Sequence, residues 1–289
     1  MREHYGVALS ASTIRAITQR HGTALLAQQQ QLLAQLGPEA GLPQVLTQTD
    51  GSMVPLVESS PKAADKRKQK RLFWSEARLS LAREVGSVTP RFAATMAAAQ
   101  QAGAVWFDCV KRAGAGLQTQ IHCVGDGAAW IIEQAQQRFG EQGGYLIDFY
   151  HVSEYLAAAG AVIAGGKAKK WLEKQQSRLK ENRVALVIEE MLAHIEGAEM
   201  LDAEAPVRVC HRYLSNHREQ LNYQAAIAAG LPIGSGEVEG GHRYVVQERL
   251  KKAGAWWKPE NAEKMLALRV NRANGEWTSY WQQQRQAVS

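Results

Sequence analysis

Read from its first residues, the pattern of apolar and polar positions is helical before it becomes extended. Ser12 is placed to cap a short helix whose apolar face carries Ile14 and Ile17, and Gly22 is placed to end it, an arrangement that fits the second half of a helix-turn-helix. The Gln-rich stretch 28–35, with Leu25, Leu26, Leu32, Leu33 and Leu36 at helical spacing, predicts a connecting helix that Pro38, Gly41 and Pro43 break. From residue 44 the period shortens towards two. Segments 44–49, 53–57 and 73–82 read as consecutive antiparallel strands, with the basic run 62–71 as a solvated loop between the last two. Residues 90–103 look helical, 119–125 form a short apolar strand ending in Asp126-Gly127, and a helix is expected from Ala128 to about Phe139. Gly143-Gly144 precedes a buried strand at 145–150, after which 151–228 is helical throughout. The run 231–236 interrupts, and a last helical region from Glu237 is broken near Gly254 and Pro259.

The order strand, strand, strand, helix, strand, helix, strand, helices is an α/β pattern that begins antiparallel and turns parallel. It is the order of an RNase H-like mixed sheet flanked by helices, with a mostly helical insertion before the last helix. The expected divisions are 1–43, a helix-turn-helix remnant and connecting helix; 44–150, the first part of the core; 151–230, the insertion; and 231–289, the last core helix and tail.

Charge adds a partner to this picture. The net charge of +6 and a pI near 9.2 suit a polyanion, although many ordinary proteins are basic. Cys109, Cys123 and Cys210 are scattered and form no CxxC pair, which argues for buried thiols rather than disulfides or a zinc knuckle. No stretch approaches the roughly 18 apolar residues of a membrane span, so a reducing cytoplasm is expected and no membrane partner.

The chemistry-bearing residues are acidic. Asp50 follows the first predicted strand, Asp126 the fourth, and Glu239 stands near the start of a late helix. Strand transfer in DNA is served by two divalent cations about 3.5–4 Å apart, and carboxylates are the hard oxygen ligands that Mg²⁺ prefers. Each residue also has a plain reading. Asp-Gly is a turn signal at both Asp50 and Asp126, and an acidic residue in a first helical turn complements the helix dipole, a purpose that Glu237 serves equally well.

Four runs taken in order carry a resemblance: Thr49-Asp-Gly-Ser-Met53, Gly125-Asp-Gly-Ala-Ala-Trp-Ile131, Asp148-Phe-Tyr-His151 and Gly234-Ser-Gly-Glu-Val-Glu-Gly-Gly-His-Arg243, followed by Arg249-Leu-Lys-Lys-Ala-Gly-Ala-Trp-Trp257. Together they resemble the blocks of DDE transposases of bacterial insertion sequences of the ISKra type. The resemblance implies a catalytic triad of Asp50, Asp126 and Glu239 holding two Mg²⁺ or Mn²⁺ ions, and it prefers Glu239 to Glu237. Asp148 and His151 would face the same end of the sheet, positioning a phosphate, a water or a ligand; His151 is equally readable as a hydrogen-bonded histidine near the core. Relatives of this type carry more sequence before the helix-turn-helix, so a shortened beginning is expected here.

The implied partner is double-stranded DNA, as transposon ends and as target, bound by a homo-oligomer. Lys66, Arg67, Lys68, Lys70 and Arg71 are placed to neutralise phosphates from a loop. Arg243 falls on the face of Glu239, four residues on, and Arg249, Lys251 and Lys252 extend the basic stretch to Trp256 and Trp257. The tryptophans suit either stacking on an unpaired base or domain packing. Two other functions remain open from sequence: a truncated DNA-binding relic that cannot transpose, and an RNase H-like nuclease or resolvase.

Overall fold

A computed structural model of the chain describes residues 8–32, 41–59, 69–286, and the expected DNA contacts Lys66, Arg67 and Lys68 lie outside these described residues. Two compact units are present: residues 1–119 together with 237–289, and residues 120–236.

The first unit is built on three antiparallel strands, β1 (Gln44–Ser59), β2 (Lys70–Glu84) and β3 (Arg91–Thr95). The meander has the expected number of strands but different boundaries. Segments 44–49 and 53–57 are one strand, and the Asp50-Gly51 pair runs through its middle, opposite Leu79 and Arg78 of β2. The turn signal loses because the residues on both sides have a place to go: Val45 to Thr49 and Val54 to Leu56 are all buried. Gly51 serves packing instead. A Cβ there would lie 1.7 Å from Glu76 Oε1, whose carboxylate crosses the strand to pair with Arg78 at 2.5 Å.

Helix α1 (Ala11–Leu32) merges the two expected N-terminal helices. Ser10 supplies the cap, its hydroxyl accepting from the Thr13 N–H at 3.0 Å, so Ser12 does not. Gly22 sits inside the helix, where a Cβ would come within 2.8 Å of Lys264 Cβ; it permits close approach and does not terminate the helix. The buried His21 Nδ1 meets Tyr280 Oη at 2.8 Å, joining α1 to the chain's last helix.

The helix expected over 90–103 is a correction in two parts. Residues 91–95 pair with β2, and α2 (Ala99–Arg112) begins later. One face of the sheet takes α2: Trp106 Nε1 donates to Thr47 Oγ1 at 2.7 Å. The opposite face carries Leu79 and Leu81, whose core is completed by Val238, Val245, Val246, Leu250 and Leu266 from the C-terminal region. That region comprises α9 (Gly236–Gly241), a π-helical segment (His242–Gln247), α10 (Glu248–Leu250), α11 (Pro259–Ala273) and α12 (Trp277–Gln286).

In the second unit β4 (Gln120–Gly125) pairs in parallel with β5 (Gly143–Ile147), joined through α3 (Ala129–Phe139) as expected. The strand read at 145–150 stops at Ile147, because Asp148 caps α4 (Phe149–Ala164). Helices α5 (Ala168–Lys180), α6 (Val184–Met191), α7 (Pro206–Asn216) and α8 (Tyr223–Ala228) follow, and with α4 they enclose a core around Leu156, Leu179, Met191 and Leu214. Five strands with flanking helices among the described residues make the protein a mixed α/β chain. Its three cysteines are free and buried, and no helix among the described residues is long and apolar enough to cross a membrane.

Candidate active site

In the first unit, Asp50 and Glu239 line one open pocket of about 300 Å³ together with Ser52, His242, Arg243 and Gln247. Strand and helix spacing explain how. Gln48 Oε1 accepts from the Val238 N–H at 2.9 Å, fixing the start of α9 over β1. Two residues along a strand and four along a helix both advance about 6 Å on one face. From Gln48 and Val238 that step leads to Asp50 and His242, and His242 Nε2 lies 3.4 Å from Asp50 Oδ2. Gly241 lets the helix settle on the sheet, since a Cβ there would be 2.8 Å from the Phe92 ring and 3.1 Å from Leu79.

The two glutamates of α9 separate cleanly. Glu237 is held by Arg83 through two hydrogen bonds, Nε to Oε2 at 2.9 Å and Nη2 to Oε1 at 2.6 Å. Glu239 is exposed and lines the pocket, and Arg243, one helical turn on, lines it too. Lys251 Nζ stands 3.3 Å from Ser52 Oγ at the pocket's side.

His242 lies within the Gly234–Arg243 run, and the sequence motif assigns it no role. It is 2% exposed, and neither ring nitrogen makes a hydrogen bond of ordinary geometry. Burial pushes its imidazole down to about 4; the Asp50 backbone opposes this and the Lys251 charge adds to it. At neutral pH it is therefore an uncharged ring against a carboxylate. The signal that could have found it is its spacing from Glu239, three residues on and so on the same helical face. The backbone changes to π-helical at His242 itself, a departure often found at functional sites.

The remaining predicted acids belong to the second unit. Asp126 is half-buried at the end of β4, where its Oδ1 accepts from the Ala128 N–H at 2.8 Å. Gly127 has φ +85°, and a Cβ on it would lie 2.3 Å from Tyr213 Oη, which donates to the Asp126 carbonyl at 2.8 Å. Asp148 is 5% exposed and accepts four hydrogen bonds: Oδ1 from the N–H groups of Tyr150 (2.6 Å) and His151 (3.1 Å), Oδ2 from the N–H (2.6 Å) and hydroxyl (2.5 Å) of Ser235. It thus ties the Gly-Ser-Gly run to the end of β5. His151 packs edge-on against Tyr155 and faces Glu154 at 3.8 Å.

Among the described residues no three His, Cys, Asp or Glu side chains are gathered as a ready metal cage. The pocket offers two hard oxygen donors, Asp50 and Glu239, beside open solvent. That suits a Mg²⁺ ion, which keeps several waters and takes one or two protein carboxylates.

The basic residues do not gather in one place. Arg243 and Lys251 border the carboxylate pocket. Lys70 and Arg249 line a second groove with Trp256 and Trp257, while Arg71 lies over the Phe73 ring and Lys252 is exposed after α10. The two tryptophans differ in burial and backbone pairing. Trp257 is half-buried and its backbone pairs with β1, whereas Trp256 is 41% exposed.

Residues 7–286 match a family model described as "Uncharacterised protein family (UPF0236)". The chain is also 24% identical over 157 residues to a "UPF0236 protein in vanSb 3'region" of Streptococcus gallolyticus, a match that covers 54% of this chain and 34%, about a third, of that relative. No solved structure matches the chain.

Proposed function

This chain belongs to the UPF0236 family, and on that premise we propose that it is a DDE-type DNA transposase that cuts transposon ends and joins them to target DNA. The supporting observation is that Asp50 and Glu239, from opposite ends of the sequence, line one open pocket with a cation, Arg243, on its rim. The ISKra-type blocks supply the third acid, Asp126, which stands at the end of a parallel strand and next to a positive-φ glycine. On this reading the antiparallel and parallel strands are the two parts of an RNase H-like core.

Asp50 and Glu239, with Asp126 as the third ligand, would hold Mg²⁺ or Mn²⁺, which supplies charge stabilisation at the attacking and leaving oxygens of phosphoryl transfer. The chain's own groups do the rest. Arg243 and Lys251 attract the scissile phosphate electrostatically. Neutral His242 keeps one side of Asp50 dry without neutralising its charge. The Gln48–Val238 hydrogen bond holds the helix register that presents Glu239.

The test is Mg²⁺-dependent nicking of duplex DNA carrying the element's ends. Asp50→Asn, Asp126→Asn and Glu239→Gln are each expected to lower the nicking rate at least a thousandfold while duplex affinity is retained. Glu237→Gln, which only loosens the Arg83 pair, should affect stability and leave chemistry in place. Wild-type nicking that persists in Asp50→Asn defeats the metal assignment.

A further inference from the structure

The groove that holds Trp256 is separate from the carboxylate pocket and larger, about 860 Å³. One wall is α1, the other the ends of β1 and β2, the Trp256–Lys258 segment and α11. Among the described residues five cations line it, Arg15, Lys70, Arg249, Lys258 and Lys264, against one acid, Glu260, which lies 4.0 Å from Lys258. Such an imbalance in a concave surface is complementary to a polyanion.

Charge alone would suit any polyanion; the aromatic residue narrows the choice. Trp257 is clamped to β1, its N–H donating to the Pro55 carbonyl at 3.2 Å and its carbonyl accepting from the Val57 N–H at 2.8 Å. Its neighbour Trp256 is therefore fixed in backbone while its ring stays 41% exposed, braced edge-on at 6.2 Å by Trp74, itself 55% exposed. An exposed indole held rigid contributes little to the core, but it is a preformed surface for a flat ring, with little ordering left to be done on binding. In duplex DNA the base faces are covered by stacking. A ring that offers its face to a base therefore selects a strand with at least one unstacked base.

We propose that this groove binds single-stranded DNA, with a base stacked on Trp256 and the phosphates tracked by Arg15, Lys258 and Lys264. The inference rests on the reading that the protein acts on DNA, and gives the strand opened next to a cut a place to be held.

Fluorescence anisotropy with a labelled short oligothymidylate tests it on the full chain. Wild type is expected to bind; Trp256→Ala weakens binding about tenfold, and Trp256→Phe, which keeps a stacking ring, loses little. Lys258→Gln and Lys264→Gln each lower the slope of log affinity against log salt by about 0.7. Unchanged urea midpoints show that the variants are folded. Wild type that fails to bind oligothymidylate, or Trp256→Ala that binds as tightly as wild type, overturns the proposal. So does polyphosphate competing as well as oligothymidylate, which marks a polyanion site without stacking. Nicking is read in parallel: Trp256-dependent binding without nicking leaves the groove and removes the catalytic reading, and nicking with Trp256-independent binding does the reverse.

Discussion

At Gly51 the reason for glycine is a neighbour and not a turn. The Glu76 carboxylate occupies the space a side chain would fill, and from there it pairs with Arg78. Gly51→Ala is therefore expected to destabilise the protein by about 1 kcal/mol, since the obstruction is the movable end of a long side chain and not backbone. The mechanism is checked by urea unfolding of the double variant Gly51→Ala, Glu76→Ala: the second change should recover most of the loss. A full, unrecovered loss would mean that strand geometry, not Glu76, demands the glycine.

At the scale of elements, Asp148 joins a strand end, a helix start and the Gly-Ser-Gly run. Removing it leaves four donors without their acceptor, of which the Ser235 pair is buried. Asp148→Ala should cost about 3 kcal/mol from the lost cap and the unsatisfied donors. If Asp148 served chemistry alone, thermal unfolding would stay near wild type while nicking vanished; the expected outcome is a clear drop in unfolding temperature. The same region shows what sequence could and could not reveal. The apolar run at 145–150 marked a buried segment but not where it changed from strand to helix, although Asp148 before a helical run was a readable cap. Residues 91–95 mix helix formers (Arg91, Ala93, Ala94) with the strand-favouring Phe92 and Thr95, and pairing with β2 decides between them. The strand at 120–125 was legible as a short apolar run ended by Asp126-Gly127, and the helical run after 148 by its length and spacing. Asp50 and Glu239 were visible as spaced motifs. The Asp50–His242 contact was not, because it depends on a strand-to-helix register that no local period encodes.

For the molecule as a whole, histidines that are buried (His21, His122) or half-buried (His217) are expected to contribute to the response to acid. His21, His122 and His217 all have their imidazoles pushed below the ordinary value by burial, with Arg20 adding to the effect at His21 and the Pro232 carbonyl opposing it at His122. A group with a lowered folded-state value takes up protons more readily when unfolded. The stability tied to these rings is therefore complete above about pH 6.5 and is lost as the pH falls below it. Urea midpoints measured with chelator present should decline over that range. His122→Gln, able to donate to Pro232 without titrating, should flatten the decline; a profile unchanged by this variant would assign the acid response elsewhere.

The first unit's core is closed by segments from both ends of the chain, with α1 fastened to the last helix through His21 and Tyr280. During synthesis, β1 leaves the ribosome long before Val238, Val245 and Leu266 exist to cover it, so Asp50 waits beside an unfinished wall. The pocket comes into being only once the segment carrying Glu239 and His242 has been made and has docked on β1, so its two walls are separated in time as well as in sequence.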